Sequence, residues 1–249
     1  VYLNMGVLLI LGMLGKTPCQ VYKKRMKWFM YIGLFLFVGL SFVISSRSGI
    51  VTIVILLVFS AYYLVKIRYF RFVSMALLIL AGFYIARNYR FNNYIQLFDR
   101  MIHSSGSVQD KYLLEKSTLR LVFWKASLEI IRDNLWFGVG TGDVKSQIQA
   151  KYKEMGVYDE LHENDDPHNQ FLRTFIATGL PGFLALAGVF VFGLWRAIQT
   201  KDYFLLGFLI LIMIHLFFKS MLFREDGVIF FGFFYGLLYL AKDRENPAV

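Results

Sequence analysis

The sequence predicts an all-α, polytopic membrane protein. Three observations carry that prediction. Of the 249 residues, 57% are hydrophobic and only 18% charged, where a soluble domain carries about 25% charged residues. The apolar residues fall in blocks near the roughly 20 residues a helix needs to span a bilayer. The net charge of +10 sits largely in short tethers between those blocks, as the positive-inside rule describes. A nucleic-acid-binding protein would show one polar, basic face with interleaved aromatics, so no nucleic-acid partner is expected. The one cysteine, Cys19, excludes an internal disulfide framework and a multi-cysteine metal site.

In chain order, Val1–Leu14 is apolar but short for a span. It starts inside an apolar run, and the chain is expected to be N-terminally truncated. Lys16–Lys27 holds five basic residues and no acid, a cytoplasmic-loop signal. Trp28–Ile44 is a second span with Trp28 and Tyr31 as interfacial anchors. Ser45–Gly49 is a tight polar turn around Arg47. Ile50–Val65 is the third span, Lys66, Arg68 and Arg71 mark a basic loop, and Phe72–Ala86 is the fourth span. Residues 87–168 contain no span; their eleven Lys/Arg and twelve Asp/Glu make them nearly neutral. Spans resume at about Phe171–Trp195, interrupted by Gly179-Leu180-Pro181-Gly182, and continue with Tyr203–Phe218 and Gly227–Ala241. The expected organisation is one membrane domain. Residues 1–86 carry four spans, 87–169 a trans-side helical loop, 170–241 three spans, and 242–249 a cytoplasmic tail.

Within the loop, Leu119, Val122, Phe123, Ala126, Ile130 and Ile131 recur at helical spacing and predict a helix over 117–134. Ser117 or Thr118 is its expected N-cap. Arg120, Trp124 and Ser127 share a neighbouring face. Arg120 either faces a cleft above the membrane or is a surface arginine. The Gly138-Val139-Gly140-Thr141-Gly142-Asp143 turn either offers amides to an anion or packs two helices. No strand precedes it, so it is not a dinucleotide fingerprint. Asp143 is the expected cap of a helix over Val144–Met155.

The run from Leu161 to Asn169 holds two histidines and three carboxylates. Its spacing fits neither a helical zinc pair nor a calcium loop, and no metal or other cofactor is expected. Pro167 places His168 at the start of the next helix. There it is either a general base, with a side-chain pKa near neutrality, or a histidine hydrogen-bonded at a helix start. His215, inside a span, is either functional or a packing residue.

These pieces together resemble a known family. They are Arg120-x-x-x-Trp124-x-x-Ser127, the run from Leu135 to Asp143, His168-Asn169-Gln170-Phe171-Leu172 and Gly179-Leu180-Pro181-Gly182. In this order on a trans-side loop they are similar to the O-antigen ligase family, whose domain is shared with lipid-linked glycan polymerases and bacterial protein O-oligosaccharyltransferases. The resemblance runs roughly from Arg47 to the end. It implies a GT-C type glycosyltransferase in the bacterial inner membrane with a periplasmic active face. The implied donor is a glycan on undecaprenyl pyrophosphate, and the acceptor a hydroxyl of lipid A-core, of another glycan or of a protein. By motif, the implied essential residues are His168, Arg120 and Arg47, the last in a Ser-Arg-Ser-Gly turn. Asn169, Trp124, Gly140, Gly142 and Arg224 are the expected substrate-binding residues. The sequence departs from relatives at Lys219-Ser220-Met221-Leu222, where an acid often precedes the serine. A transporter or flippase is the reading from another class. It would line a mid-membrane path with polar groups, whereas here they gather at one face.

Overall fold

The computed structural model describes residues 1–16, 24–44, 47–60, 119–155 and 166–245. Among these the regular elements are helices, with no strand. They are α1 (Tyr2–Lys16), α2 (Lys24–Ile44), α3 (Arg47–Ser60), α4 (Leu119–Asp133), α5 (Val144–Glu154), α6 (Gln170–Gln199), α7 (Tyr203–Phe218), a 3-10 turn (Met221–Phe223) and α8 (Glu225–Glu245). The expected span over 72–86, the basic loop at 66–71, the Ser117 or Thr118 cap and His162, the first histidine of the 161–169 run, lie outside the described residues.

The chain divides into two compact units. One comprises Val1–Phe83, Phe190–His215 and Glu225–Val249; the other comprises Tyr84–Val189 and Leu216–Arg224. In the first unit, small residues let helices approach. Gly12 lies against the Phe204 ring, and Gly207 against Phe59 and Leu8. Val7, Leu8, Leu11, Ile53, Leu56, Phe208 and Leu209 are buried. Phe208 stacks on Phe231 of α8 with centroids 6.2 Å apart. The unit also turns Phe29, Phe35, Phe192, Ile229 and Phe233 outward. Large apolar side chains exposed in such numbers mark a surface covered by lipid or a partner. Among the described residues one helix, α6, is long and apolar enough to cross a bilayer. Helix α7 is apolar over its 16 residues but shorter.

Several boundaries differ from the sequence reading: α6 runs on to Gln199 rather than Trp195, and α8 covers Glu225–Glu245 rather than Gly227–Ala241, reaching into the expected 242–249 tail. Helix α2 starts at Lys24 rather than Trp28, because Lys, Arg and Met are good helix formers and extend the apolar segment backwards. Arg47 is the first residue of α3 rather than the centre of a turn. Buried Asn4 ties the start of α3 down: its Nδ2 donates to the Gly49 carbonyl at 3.4 Å and lies 3.4 Å from His215 Nε2. Both Asn4 and His215 are nearly inaccessible. His215 is thus part of a polar contact inside this unit.

In the second unit, α4 packs on α5 as the helical spacing implies. Phe123, Ala126, Ile130 and Ile131 are buried with Val144, Ile148, Tyr152 and Ile176. Ser127, also buried, donates to the Phe123 carbonyl at 2.7 Å. At the edge, Lys151 Nζ sits 3.0 Å from Glu129 Oε2 and 3.0 Å from Glu154 Oε2. The hydrogen bonds to Glu129 and then Glu154 hold the Lys151 ammonium above its ordinary pKa. Asp143 precedes α5 but makes no side-chain cap bond. Its backbone is in the helical region, φ −96° and ψ −3°, rather than the extended conformation from which a cap side chain reaches the first amides.

The feature that positions everything else in this unit is a break in the hydrogen-bond ladder of α6. The expected interruption at Gly179-Leu180-Pro181-Gly182 is a sharp kink at which two helical segments of α6 meet: Gly179 has φ 66° and ψ −161°, a region open essentially to glycine alone. Pro181 has no N–H, so the Ala177 carbonyl loses its helical donor. The Leu180 N–H turns away to the Leu135 carbonyl at 2.9 Å, so the Ile176 carbonyl loses its donor too. The glycine turn replaces both. Val139 N–H donates to Ile176 O at 2.8 Å, and Gly140 N–H to Ala177 O at 3.0 Å. The two backbones are so close that a Cβ on Gly138 would lie 2.5 Å from Ile176 O, and one on Gly179 would collide with the Trp136 carbonyl.

Gly179→Ala is therefore expected to cost about 1–3 kcal/mol in backbone strain alone, and more through the collision. Thermal unfolding followed by circular dichroism should show a lowered midpoint; an unchanged one would mean the kink does not need glycine. A second expectation concerns pH. Because Lys151 is held above its ordinary pKa, its contribution is complete below the unfolded lysine value, about 10.4. It is lost as pH rises through the higher folded value. Lys151→Met should lower the unfolding midpoint at neutral pH, and the gap from the parent should narrow at strongly alkaline pH.

Candidate active site

The residues of the second unit that could do chemistry converge on the chain segment entering α6. Pro167 cannot donate a hydrogen bond and restricts Asp166 to extended conformations. His168 follows with φ 50°, a left-handed conformation that non-glycine residues seldom adopt and that costs on the order of 1–3 kcal/mol. Asn169 then caps the helix: its Oδ1 accepts from Phe171 N–H at 2.9 Å and from Leu172 N–H at 3.2 Å. The helix thus begins at Gln170, and His168 stands just before the cap rather than opening the helix. Asparagine is the stronger cap, and the left-handed step at His168 turns the chain into it.

Surrounding groups hold this turn. Trp124 donates its indole N–H to the Pro167 carbonyl at 3.2 Å and meets Phe217 edge-on, centroids 5.3 Å apart. The Phe123 ring lies 5.9 Å from the imidazole of His168. Asp166 is the hub. Its Oδ1 accepts from Arg173 at 2.9 Å and from Ser220 Oγ at 2.7 Å. Its Oδ2 is 3.6 Å from His168 Nδ1. The imidazole and the carboxylate are each about one-third exposed, at 32% and 30%, whereas the Arg173 side chain is 9% exposed. The Arg173 guanidinium also lies over the Phe223 ring, 3.5 Å from its centroid, a contact that stabilises a desolvated cation. Gln170 fastens the same neighbouring segment, its Oε1 accepting Leu222 N–H at 2.8 Å. An accessible histidine beside a fixed carboxylate, on a strained turn, is an arrangement suited to taking a proton.

The expected site residues divide accordingly. His168, Asn169 and Trp124 come together. Asn169 is buried and its oxygen serves the helix cap, while Trp124 holds the backbone under His168. Arg120 is the second residue of α4, one helical turn before Trp124. Arg47 begins α3, in the other unit. Gly140 spends its amide on the Ala177 carbonyl, which favours the helix-packing alternative for that turn. Gly142 is exposed with open space around it. Arg224 is exposed, in extended conformation before α8. The sequence reading did not single out Arg173, Gln170 or the hub role of Asp166. One signal was available for Arg173: an arginine four residues inside an apolar helix needs a partner. Its partner lies upstream of the cap and across the chain from Ser220, which spacing alone does not reveal.

A family model described as O-antigen ligase matches residues 32–187. The matched region is well over half of the chain. It takes in Arg47, Arg120, Trp124, Gly140, Gly142, His168, Asn169 and the Gly179–Gly182 kink, and Arg224 lies beyond it. It starts before Arg47 and stops short of the last two apolar segments, where the resemblance was expected to run to the end. No curated protein matches the chain. The motifs that build the strained histidine turn and the kink beneath it are within the match, and the chain belongs to the O-antigen ligase family.

Proposed function

We propose that this protein transfers a glycan from undecaprenyl pyrophosphate to an acceptor hydroxyl at the periplasmic face of the bacterial inner membrane, with lipid A-core as the acceptor. Family membership supports a membrane-associated glycosyltransferase of the O-antigen ligase or polymerase type. The alternation of basic loops supports seven spans in this chain, a GT-C type architecture and a periplasmic assignment for residues 87–169. The single observation that carries the chemistry is His168 on its left-handed turn, with Nδ1 facing the anchored Asp166 carboxylate.

In this scheme the acceptor hydroxyl oxygen attacks the anomeric carbon of the donor. The bond from that carbon to the pyrophosphate oxygen breaks, and the pyrophosphate leaves with the bonding pair. His168 takes the hydroxyl proton at Nε2, while the Asp166 carboxylate, 3.6 Å from Nδ1, faces the positive charge that forms on the ring. Arg120 neutralises the leaving pyrophosphate, because a guanidinium presents a fixed fork to phosphate oxygens; the family resemblance implies an essential role for Arg47 as well. Pyrophosphate is already a good leaving group, so the scheme calls for no metal. Polymerase and protein O-oligosaccharyltransferase activities differ from this only in the acceptor.

Transfer of a labelled glycan in membranes tests the roles. His168→Ala should lower turnover by about 10²–10⁴-fold, and undiminished turnover would remove the base. Arg120→Ala should cost about 10²–10³-fold. Asp166→Asn keeps acceptor capacity toward Ser220 but loses the charge. It should lower turnover, since the charge that forms on the ring loses the carboxylate facing it. Undiminished turnover would reduce Asp166 to a fold anchor. The acceptor is decided by gene deletion and glycan gels: intact polymer that is no longer attached indicates a ligase, and single repeat units indicate a polymerase.

A further inference from the structure

The loop from Leu135 to Phe137 presents three consecutive apolar side chains outward. Trp136 is 64% exposed and Phe137 85%, with Leu135 at 42%. A run of this kind on an extramembrane loop is unfavourable in water and marks a contact surface. Its location identifies the contact. The loop backbone is bound to the α6 kink by the Leu180–Leu135, Val139–Ile176 and Gly140–Ala177 hydrogen bonds, so its position along α6 is fixed at Gly179. From Leu180 to Gln199 the helix is about 30 Å long at ~1.5 Å per residue, equal to the roughly 30 Å hydrocarbon thickness of a bilayer. Before the kink, α6 carries Gln170, Arg173, Thr174 and Thr178; one turn after it, Leu184 is exposed. If α6 is the span its length permits, Gly179 falls at the hydrocarbon boundary, and Trp136 and Phe137 fall there with it. Arg132 and Asp133, both well exposed, lead into the loop, as suits a segment passing through headgroups. Tryptophan is the side chain most suited to that layer, apolar in its body with one N–H to hydrate.

We infer that Leu135–Phe137 is an interfacial anchor, seating Trp136 and Phe137 at the headgroup boundary of the bilayer that α6 crosses. The anchor and the kink together set the height of the strained histidine turn. Gln170 lies at most about 14 Å along the helix from Gly179, so His168 is kept near a lipid-borne substrate rather than out in solvent.

Spin-label depth measurement tests this without reference to catalysis. Cys19→Ser removes the one cysteine. Phe137→Cys is added, labelled with a nitroxide, and the protein is reconstituted in phosphatidylethanolamine–phosphatidylglycerol liposomes. Ala150→Cys, on the exposed face of α5, is the reference. At Phe137 the ratio of collisions with oxygen to collisions with a water-soluble nickel chelate should exceed the reference several-fold, at a value typical of the headgroup boundary. Three results would overturn the inference: a ratio equal to that at Ala150, a ratio typical of the bilayer centre, or shielding from both reagents, which would mean that protein covers the loop. Trp136→Cys repeats the measurement should the first variant not assemble.

Discussion

The second unit depends on one backbone exchange. Pro181 and Gly179 take two carbonyls and one amide of α6 out of helical pairing. A loop about forty residues earlier in the chain supplies two amides and one carbonyl in return. Within a largely apolar helix those groups would otherwise be unpaired, at a cost of about 1–3 kcal/mol each. The exchange therefore holds the kink and the loop in one register. It also explains why glycines occur on both partners. Gly138 and Gly179 have positive φ, and any side chain on either would enter the other's backbone.

That register carries the candidate site. The loop follows α4 directly, so fixing it on α6 fixes Phe123 and Trp124 of α4 beside the segment that enters α6. Trp124 then reaches the Pro167 carbonyl, and Phe123 lies against His168. From the other direction, the segment after α7 contributes Ser220 to Asp166, Phe223 to Arg173 and Leu222 to Gln170. The histidine turn is strained and yet held by several contacts, the condition under which a costly backbone conformation persists. Arg173 has a second consequence. By neutralising Oδ1 of Asp166 it leaves Oδ2 directed at the imidazole, so one carboxylate both anchors the helix entry and faces the candidate base.

Much of this was legible in residues three and four apart. The spacing of Phe123, Ala126, Ile130 and Ile131 marks the buried face of α4, because a helix repeats every 3.6 residues. Glycine and proline at 179 and 181 mark a break in an apolar helix. Helix starts were less legible. Arg47 and Lys24 lie inside helices where polarity suggested turns, since hydropathy reports where a segment meets water and not where its hydrogen bonds begin. Asp143 has the right residue type for a cap and the wrong backbone angles for it.

By itself, the sequence determined the helical class, the apolar segments, the polar interruption and the motifs that place the chain in its family. These are local patterns of hydropathy and residue type, and they need no knowledge of what lies next to what. Tertiary structure alone decided how the pieces are used. It assigned the glycine turn's amides to the α6 carbonyls, made Asn169 a cap, paired His215 with Asn4, and made Asp166 the meeting point of Arg173, Ser220 and His168. Apart from the local Asn169 cap and the Asp166–His168 contact, those outcomes are choices of partner between segments far apart in the chain. Residue type sets which bonds a group can make, and the partner it takes is the one that folding brings within reach.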